Sequence, residues 1–144
     1  QINVINVRKA QTENALECAV IIDSWISKTK EMPRLYSKIE LEQMIKEAIP
    51  LREAWLVCSP AKGYISLNQK TLQIMGLYTA EPGNGLGKTL LDKVKLSRNY
   101  LHLWSHTFNK KAHKFYEREG FNKIGEKEKG HDGLPEIHFE WKRK

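Results

Sequence analysis

Apolar residues recur along this chain with two different periods, and the switches between them mark its elements. INVINVR (2–8) sets Ile2, Val4 and a neighbouring apolar set in near alternation and reads as an opening strand. TENALECAVIIDSWI (12–26) carries apolar positions on most sides late in its course, the mark of a well-buried helix. A polar link, SKTKEMPRLYS (27–37), follows. Ser37 and Glu40 then form an S-x-x-E capping box, in which each side chain satisfies the other's backbone N–H. A helix over 38–49 starts there and stops at Pro50, which has no N–H to donate.

AWLVCS (54–59), GYISLN (63–68) and TLQIMGLYT (71–79) are short β-rich runs with turn residues between them, as hairpins require. Leu86, Leu90 and Val94 then fall at i, i+4 and i+8, with Leu91 widening the stripe, so the spacing predicts a helix over 86–97. YLHLWS (100–105) is a further strand. NKKAHKFYEREG (109–120) is a helix with Asn109 as N-cap and Gly120 just past its end. FNKIGEK and PEIHFEW close the chain as strands, with Ile137, Phe139 and Trp141 on one face. The order β α α β β β α β α β β predicts an α/β fold on one central, mostly antiparallel sheet of six to seven strands with about four helices. The β-α-β crossover in the middle should pair two strands in parallel.

Length adds that one compact domain over 1–144 can bury a full core unaided. No run approaches the length of a membrane span, so a membrane role is not expected. Cys18 and Cys58 form no C-x-x-C pair and no His cluster accompanies them. Reduced thiols in a cytoplasmic protein, with no metal, are the expectation. The net charge of +7 favours an anionic partner without choosing one. No arginine-rich run or nucleic-acid module raises nucleic acid above the others.

The candidate chemistry centres on PGNGLGKTLLD (82–92). It ends like a triphosphate-binding loop, G-x-x-x-x-G-K-[ST], but Pro82 stands where the first glycine belongs. The dinucleotide pattern G-x-G-x-x-G fails too, because Gly83, Gly85 and Gly87 are spaced two and two. The loop leads into an amphipathic helix whose first N–H groups have no partner within it and carry partial positive charge. Glycines let such a turn bring its backbone up to a ligand, and a pyrophosphate suits the site. A glycine-rich turn with no ligand is the alternative on these residues alone.

Downstream, NKKAHKFYEREGF contains N-x-x-A-x-x-F-Y-x-x-x-G-F at 109–121. Together with G-x-G-L-G-K-x-L-L at 83–91 it resembles the GNAT superfamily of N-acetyltransferases, with motifs in that family's order. The clear resemblance covers 72–121, roughly a third of the chain. It implies acetyl-CoA as co-substrate, its pyrophosphate lying on main-chain N–H groups of Gly83, Asn84, Gly85, Leu86, Gly87 and Lys88. It further implies that the backbone of Leu77, Tyr78 and Thr79 binds the coenzyme, with one amide at the thioester oxygen. Tyr116 matches the tyrosine that protonates the leaving sulfur in many relatives, and Asn109 is placed to touch the coenzyme arm or simply to cap its helix. Phe115 and Ala112 read as core. The pattern departs from the family at Pro82, where Gln or Arg is common.

A general base is harder to find. His106 is the best-placed residue, followed by Glu53 and Glu81, and an ordered water chain is the route many relatives use. Lys110, Lys111, Lys114 and Arg118 form either a solvated face or a contact for the coenzyme's 3′-phosphate. The loops 27–37 and 125–136 should frame the acceptor pocket, with Trp25, Arg34, Tyr36, Trp104 and His131 available there. The resemblance therefore implies an enzyme that acetylates a primary amine of a small molecule or a protein, by direct attack, with a homodimer among the expectations. The alternatives are a toxin-like acetyltransferase acting on aminoacyl-tRNA and a non-catalytic acyl-CoA-binding module.

Overall fold

A computed structural model describes residues 6–144. Seven strands form one sheet: β1 (Val7–Lys9), β2 (Glu53–Val57), β3 (Gly63–Asn68), β4 (Gln73–Thr79), β5 (Tyr100–His106), β6 (Asn122–Lys127) and β7 (Glu136–Lys142). Their spatial order is β1-β2-β3-β4-β5-β7-β6. Every neighbouring pair is antiparallel except β4 and β5, which run parallel, as the crossover between them requires. Most of the opening run expected as a strand, residues 2–5, lies outside the described residues; Val7 pairs with Val57.

Among the described residues, four helices flank the sheet: α1 (Ala15–Lys28), α2 (Lys38–Ala48), α3 (Leu86–Lys95) and α4 (Lys110–Arg118). The capping box at Ser37 forms as the sequence predicts. Glu40 donates its N–H to Ser37 Oγ at 3.2 Å, and Ser37 donates its own to Glu40 Oε1 at 2.9 Å. Pro50 ends α2 within a 3-10 turn, Ile49–Leu51. None of the described helices is long and apolar enough to cross a membrane.

Two cores sit on opposite faces of the sheet. On one, Cys18 and Ala19 of α1 and Leu41 and Ile45 of α2 pack on Leu56 and Tyr64. On the other, Leu86, Leu90, Leu91 and Val94 of α3 and Tyr116 of α4 pack on Ile65, Leu67, Leu101, Leu103 and Phe139. The fully buried Phe121 and Phe139 each contribute on the order of 3 kcal/mol. Cys18 and Cys58 are both free; Cys18 is buried, which pushes its thiol up to about 12, whereas Cys58 is only half-buried.

One feature of the sheet makes room for a site. β4 and β5 meet at a single register pair, Gln73 with His102, close to the start of β4. Beyond it the two strands diverge, and the β4 edge from Ile74 onward has no strand partner on that side among the described residues. Main-chain groups left unpaired there need another partner, whether water or a ligand.

Candidate active site

The divergence opens a cleft of about 830 Å³ through the middle of the molecule. It is lined by β4 from Ile74 to Thr79, by the loop and first turn from Glu81 to Lys88, by Leu103–His106 of β5, and by Asn109, Phe115 and Tyr116 of α4. Trp25 of α1 and Glu136 of β7 complete it. Each site residue expected from the sequence, from Leu77 to Lys88 together with His106, Asn109 and Tyr116, lines this one space.

The glycine loop has the backbone that its composition predicts. Gly83 and Gly85 have φ of 86° and 80°, and Gly85 is the N-cap of α3. A Cβ at either would meet nothing within 4 Å, so it is the left-handed conformation, not crowding, that calls for glycine. Gly87 differs: a Cβ there would approach the Phe115 ring to 3.3 Å, so this glycine sets how closely α3 and α4 pack. Asn84 Oδ1 accepts from Leu86 N–H at 3.4 Å, and the next intrahelical bond is Thr89 N–H to Gly85 O at 3.0 Å. Among the described residues, no acceptor takes the N–H of Gly87 or Lys88, which face the start of the helix. Lys88 Nζ is held by Asp92 at 2.7 Å, with Glu119 at 3.7 Å, so its charge is already partly matched. Pro82 lies in the exposed part of the loop and offers no N–H.

α4 presents Tyr116 from the other flank. Asn109 caps the helix, accepting from Ala112 N–H at 3.3 Å. Tyr116 is buried against Phe115, Phe121 and Phe139, with ring centroids 5.3, 5.6 and 6.0 Å away. Burial, with the nearby Tyr78 as a second cause, pushes its hydroxyl well above the ordinary tyrosine value of 10.0. Tyr78 is raised as well, by burial and then by the carboxylates of Asp132 and Glu136. Ala112 and Phe115 are partly buried against the core, as expected, while also reaching the cleft. Arg118 lies 5.6 Å over the Phe115 ring and, with Lys111, borders the cleft; Lys110 and Lys114 are exposed.

The far end of the cleft is built from side chains. His106 ends β5, stacked between Trp25 (6.1 Å) and Phe108 (5.2 Å). Its Nε2 lies 2.6 Å from Asp132 Oδ2, and the other oxygen of Asp132 accepts from Leu134 N–H at 3.0 Å. Burial raises the Asp132 carboxyl, but the bonds from His106 and Leu134 outweigh it and hold the group below its ordinary value of 3.8. Tyr36 Oη lies 3.3 Å from His131 Nε2, which joins the α1–α2 link to the β6–β7 loop. Arg34 turns away from the cleft to Asp23 and Ser27, both at 2.8 Å. Trp104 is held between the His138 ring at 4.1 Å and Lys127 Nζ at 4.1 Å.

Two sequence readings need correction or completion. Glu53 is no base: burial raises its carboxyl, but Arg98, 2.5 Å away, and Trp55 Nε1–H lower it further, and it stands outside the cleft lining as a structural ion pair. Glu81 lies in the exposed loop at the cleft's edge. Asp132 and Glu136 carry no local pattern that ties either to His106, from which they are 26 and 30 residues away. His106, Asp132 and Glu136 each bring a possible metal-ligand atom within 4.8 Å of the others. Nε2 of His106 and Oδ2 of Asp132 bond each other, and Lys127 Nζ stands 3.3 Å from Glu136 Oε1.

Comparison with known proteins agrees with this architecture. YjaB of Escherichia coli, solved in its apo form, superimposes with a TM-score of 0.77 at 20% identity, covering 99% of this chain and 100% of that one. The yncA protein of Salmonella typhimurium, a putative acetyltransferase solved with acetyl-CoA, does so at 0.72 and 13% identity, over 99% of this chain and 95% of that one. A ribosomal-protein-alanine N-acetyltransferase from Brucella melitensis gives 0.72 at 16%, over 95% and 99%. At such identities the likeness speaks for the fold alone. No curated protein matches in sequence. The family described as Acetyltransferase (GNAT) domain matches residues 28–143, which spans α2 and all the cleft-forming strands, and the chain belongs to the GNAT acetyltransferase family.

Proposed function

We propose that this protein is an acetyl-CoA-dependent N-acetyltransferase that acts on a primary amine. The observation that carries the reading is the pair of free N–H groups at Gly87 and Lys88, opening into the same cleft as Tyr116 and the unpaired β4 edge. Donors at a helix start suit a pyrophosphate, and the dipole of α3 adds to them. The main-chain loss at Pro82 leaves these two donors untouched.

Acetyl-CoA supplies the acetyl group as a thioester. The backbone of Leu77, Tyr78 and Thr79, on the unpaired part of β4, is where an amide can hydrogen-bond the thioester oxygen and stabilise charge that develops on it. Tyr116 acts as general acid. A tyrosine hydroxyl is protonated at neutral pH and burial pushes it further that way, so the proton is present when the sulfur departs. The acceptor enters from the end bounded by Trp25, His106 and the loops joined through Tyr36 and His131.

The test is coenzyme release from acetyl-CoA across polyamines, amino acids, aminoglycosides and peptides. We expect at least one class to be acetylated, and expect Tyr116→Phe to lower kcat by roughly 10²-fold or more while acetyl-CoA affinity stays unchanged. Binding of acetyl-CoA without release for any amine would make the chain a binding module. Release with charged tRNA alone, falling steeply with salt, would point to the tRNA reading.

A further inference from the structure

We infer that Asp132 fixes His106 as a proton acceptor facing the acceptor end of the cleft, so that His106 is a catalytic residue and Asp132 its positioning residue. This inference rests on the acetyl-transfer reading above. An ionised carboxylate can only accept, so in the neutral imidazole the Nε2 that lies 2.6 Å from Asp132 Oδ2 must carry the hydrogen. Nδ1 is then the nitrogen with the lone pair, and it has no hydrogen-bond partner among the described residues. His106 lines the cleft, whereas Asp132 stands behind it, outside the lining.

The imidazole is held by ring contacts and at Nε2, leaving Nδ1 free among the described residues. Its ring lies between Trp25 and Phe108, and its own carbonyl accepts from His113 Nε2 at 2.9 Å and from Asn109 N–H at 3.0 Å. Asp132 is fixed in turn, because its second oxygen takes Leu134 N–H while Gly133, at φ 85°, turns the loop. A pre-set acceptor of this kind fits the need of the reaction. An alkylamine arrives mainly as an ammonium ion and has no lone pair for attack until it loses a proton.

His106 Nδ1 takes one proton from the ammonium ion, and the freed nitrogen pair bonds to the thioester carbon. The carbon–sulfur bond then breaks with its electron pair going to sulfur, which takes the Tyr116 proton. The surplus proton on nitrogen restores the tyrosine, and the proton on His106 leaves to solvent.

Two probe amines separate this role from a structural one. Butylamine is protonated at neutral pH and needs the base, whereas methoxyamine is a weak base that arrives neutral and does not. With the intact protein we expect His106→Gln to lower coenzyme release with butylamine by roughly 10²-fold, and Asp132→Asn by at least about tenfold. With methoxyamine each variant should lose less than about threefold, a split that a general loss of structure would not produce. Equal losses with both amines would overturn the inference. The tautomer, read from ring ¹⁵N shifts of the free protein, gives an independent arm. A hydrogen on Nε2 that is lost or redistributed in Asp132→Asn supports the dyad, and a hydrogen on Nδ1 refutes it. If the parent chain consumes neither these amines nor any class of the wider panel, the acetyl-transfer reading fails, and the ring shifts still decide whether Asp132 sets the imidazole.

Discussion

The two ends of the cleft are built by different means. At the glycine end the unpaired groups are main-chain N–H donors, set by two residues of positive φ and by a glycine that lets α3 lie against Phe115. Eleven consecutive residues hold nearly all of that design. At the acceptor end the groups are side chains from α1, β5, the β6–β7 loop and β7, joined by the Trp25–His106 stack, the His106–Asp132 bond and the Tyr36–His131 contact. The first kind of site leaves a contiguous signature. The second leaves none, because its residues meet only after the sheet has formed.

That contrast can be broken from either end. Of three further substitutions, the largest effect is expected at the glycine end. A valine at position 85 would have to occupy the left-handed region, at about 1–3 kcal/mol, or shift the helix start. We expect Gly85→Val to weaken acetyl-CoA binding by roughly 10- to 100-fold by calorimetry. An unchanged affinity in a folded variant would separate this loop from the coenzyme.

A smaller effect should come from outside both ends. Glu53 joins Arg98, just beyond α3, to β2, and its folded value is depressed. A depressed carboxyl contributes stability that is present above its ordinary value of 4.5 and is lost as pH falls through the folded value. Glu53→Gln should therefore lower neutral-pH stability by about 1–2 kcal/mol and flatten the acid limb of a Tm-versus-pH curve. Acetyl-CoA affinity should not move. A steeper acid limb in the variant would contradict the ion-pair account.

The smallest of these three effects is expected from Trp25, at the acceptor end. Trp25→Ala removes the ring stacked on His106, and the acceptor KM should rise by about threefold to tenfold with acetyl-CoA affinity unchanged. A matching fall in acetyl-CoA affinity would show that the two ends are not separable.

The same contrast explains what could be read from the chain. The strands, the four helices, the capping box at Ser37 and the parallel crossover were legible because hydrophobic period and cap chemistry are local. Tyr116 and the glycine loop were legible through contiguous motifs. Boundaries shifted only slightly: α3 ends at Lys95, short of the expected 97, and β2 begins at Glu53. Asp132 was not legible. Its neighbourhood, HDGLP, reads as a turn, and only the pairing of β5 with β7, His106 opposite Glu136, brings that loop against the imidazole. Arg34 shows the reverse case, a cation in the right loop that α1 draws away.

The most direct measurement is a crystal structure of this protein with acetyl-CoA. The account predicts pyrophosphate oxygens within hydrogen-bond reach of Gly87 and Lys88 N–H, and the thioester between the β4 edge at Leu77–Thr79 and the Tyr116 hydroxyl. A coenzyme bound elsewhere, or one whose thioester points away from Tyr116, would contradict it.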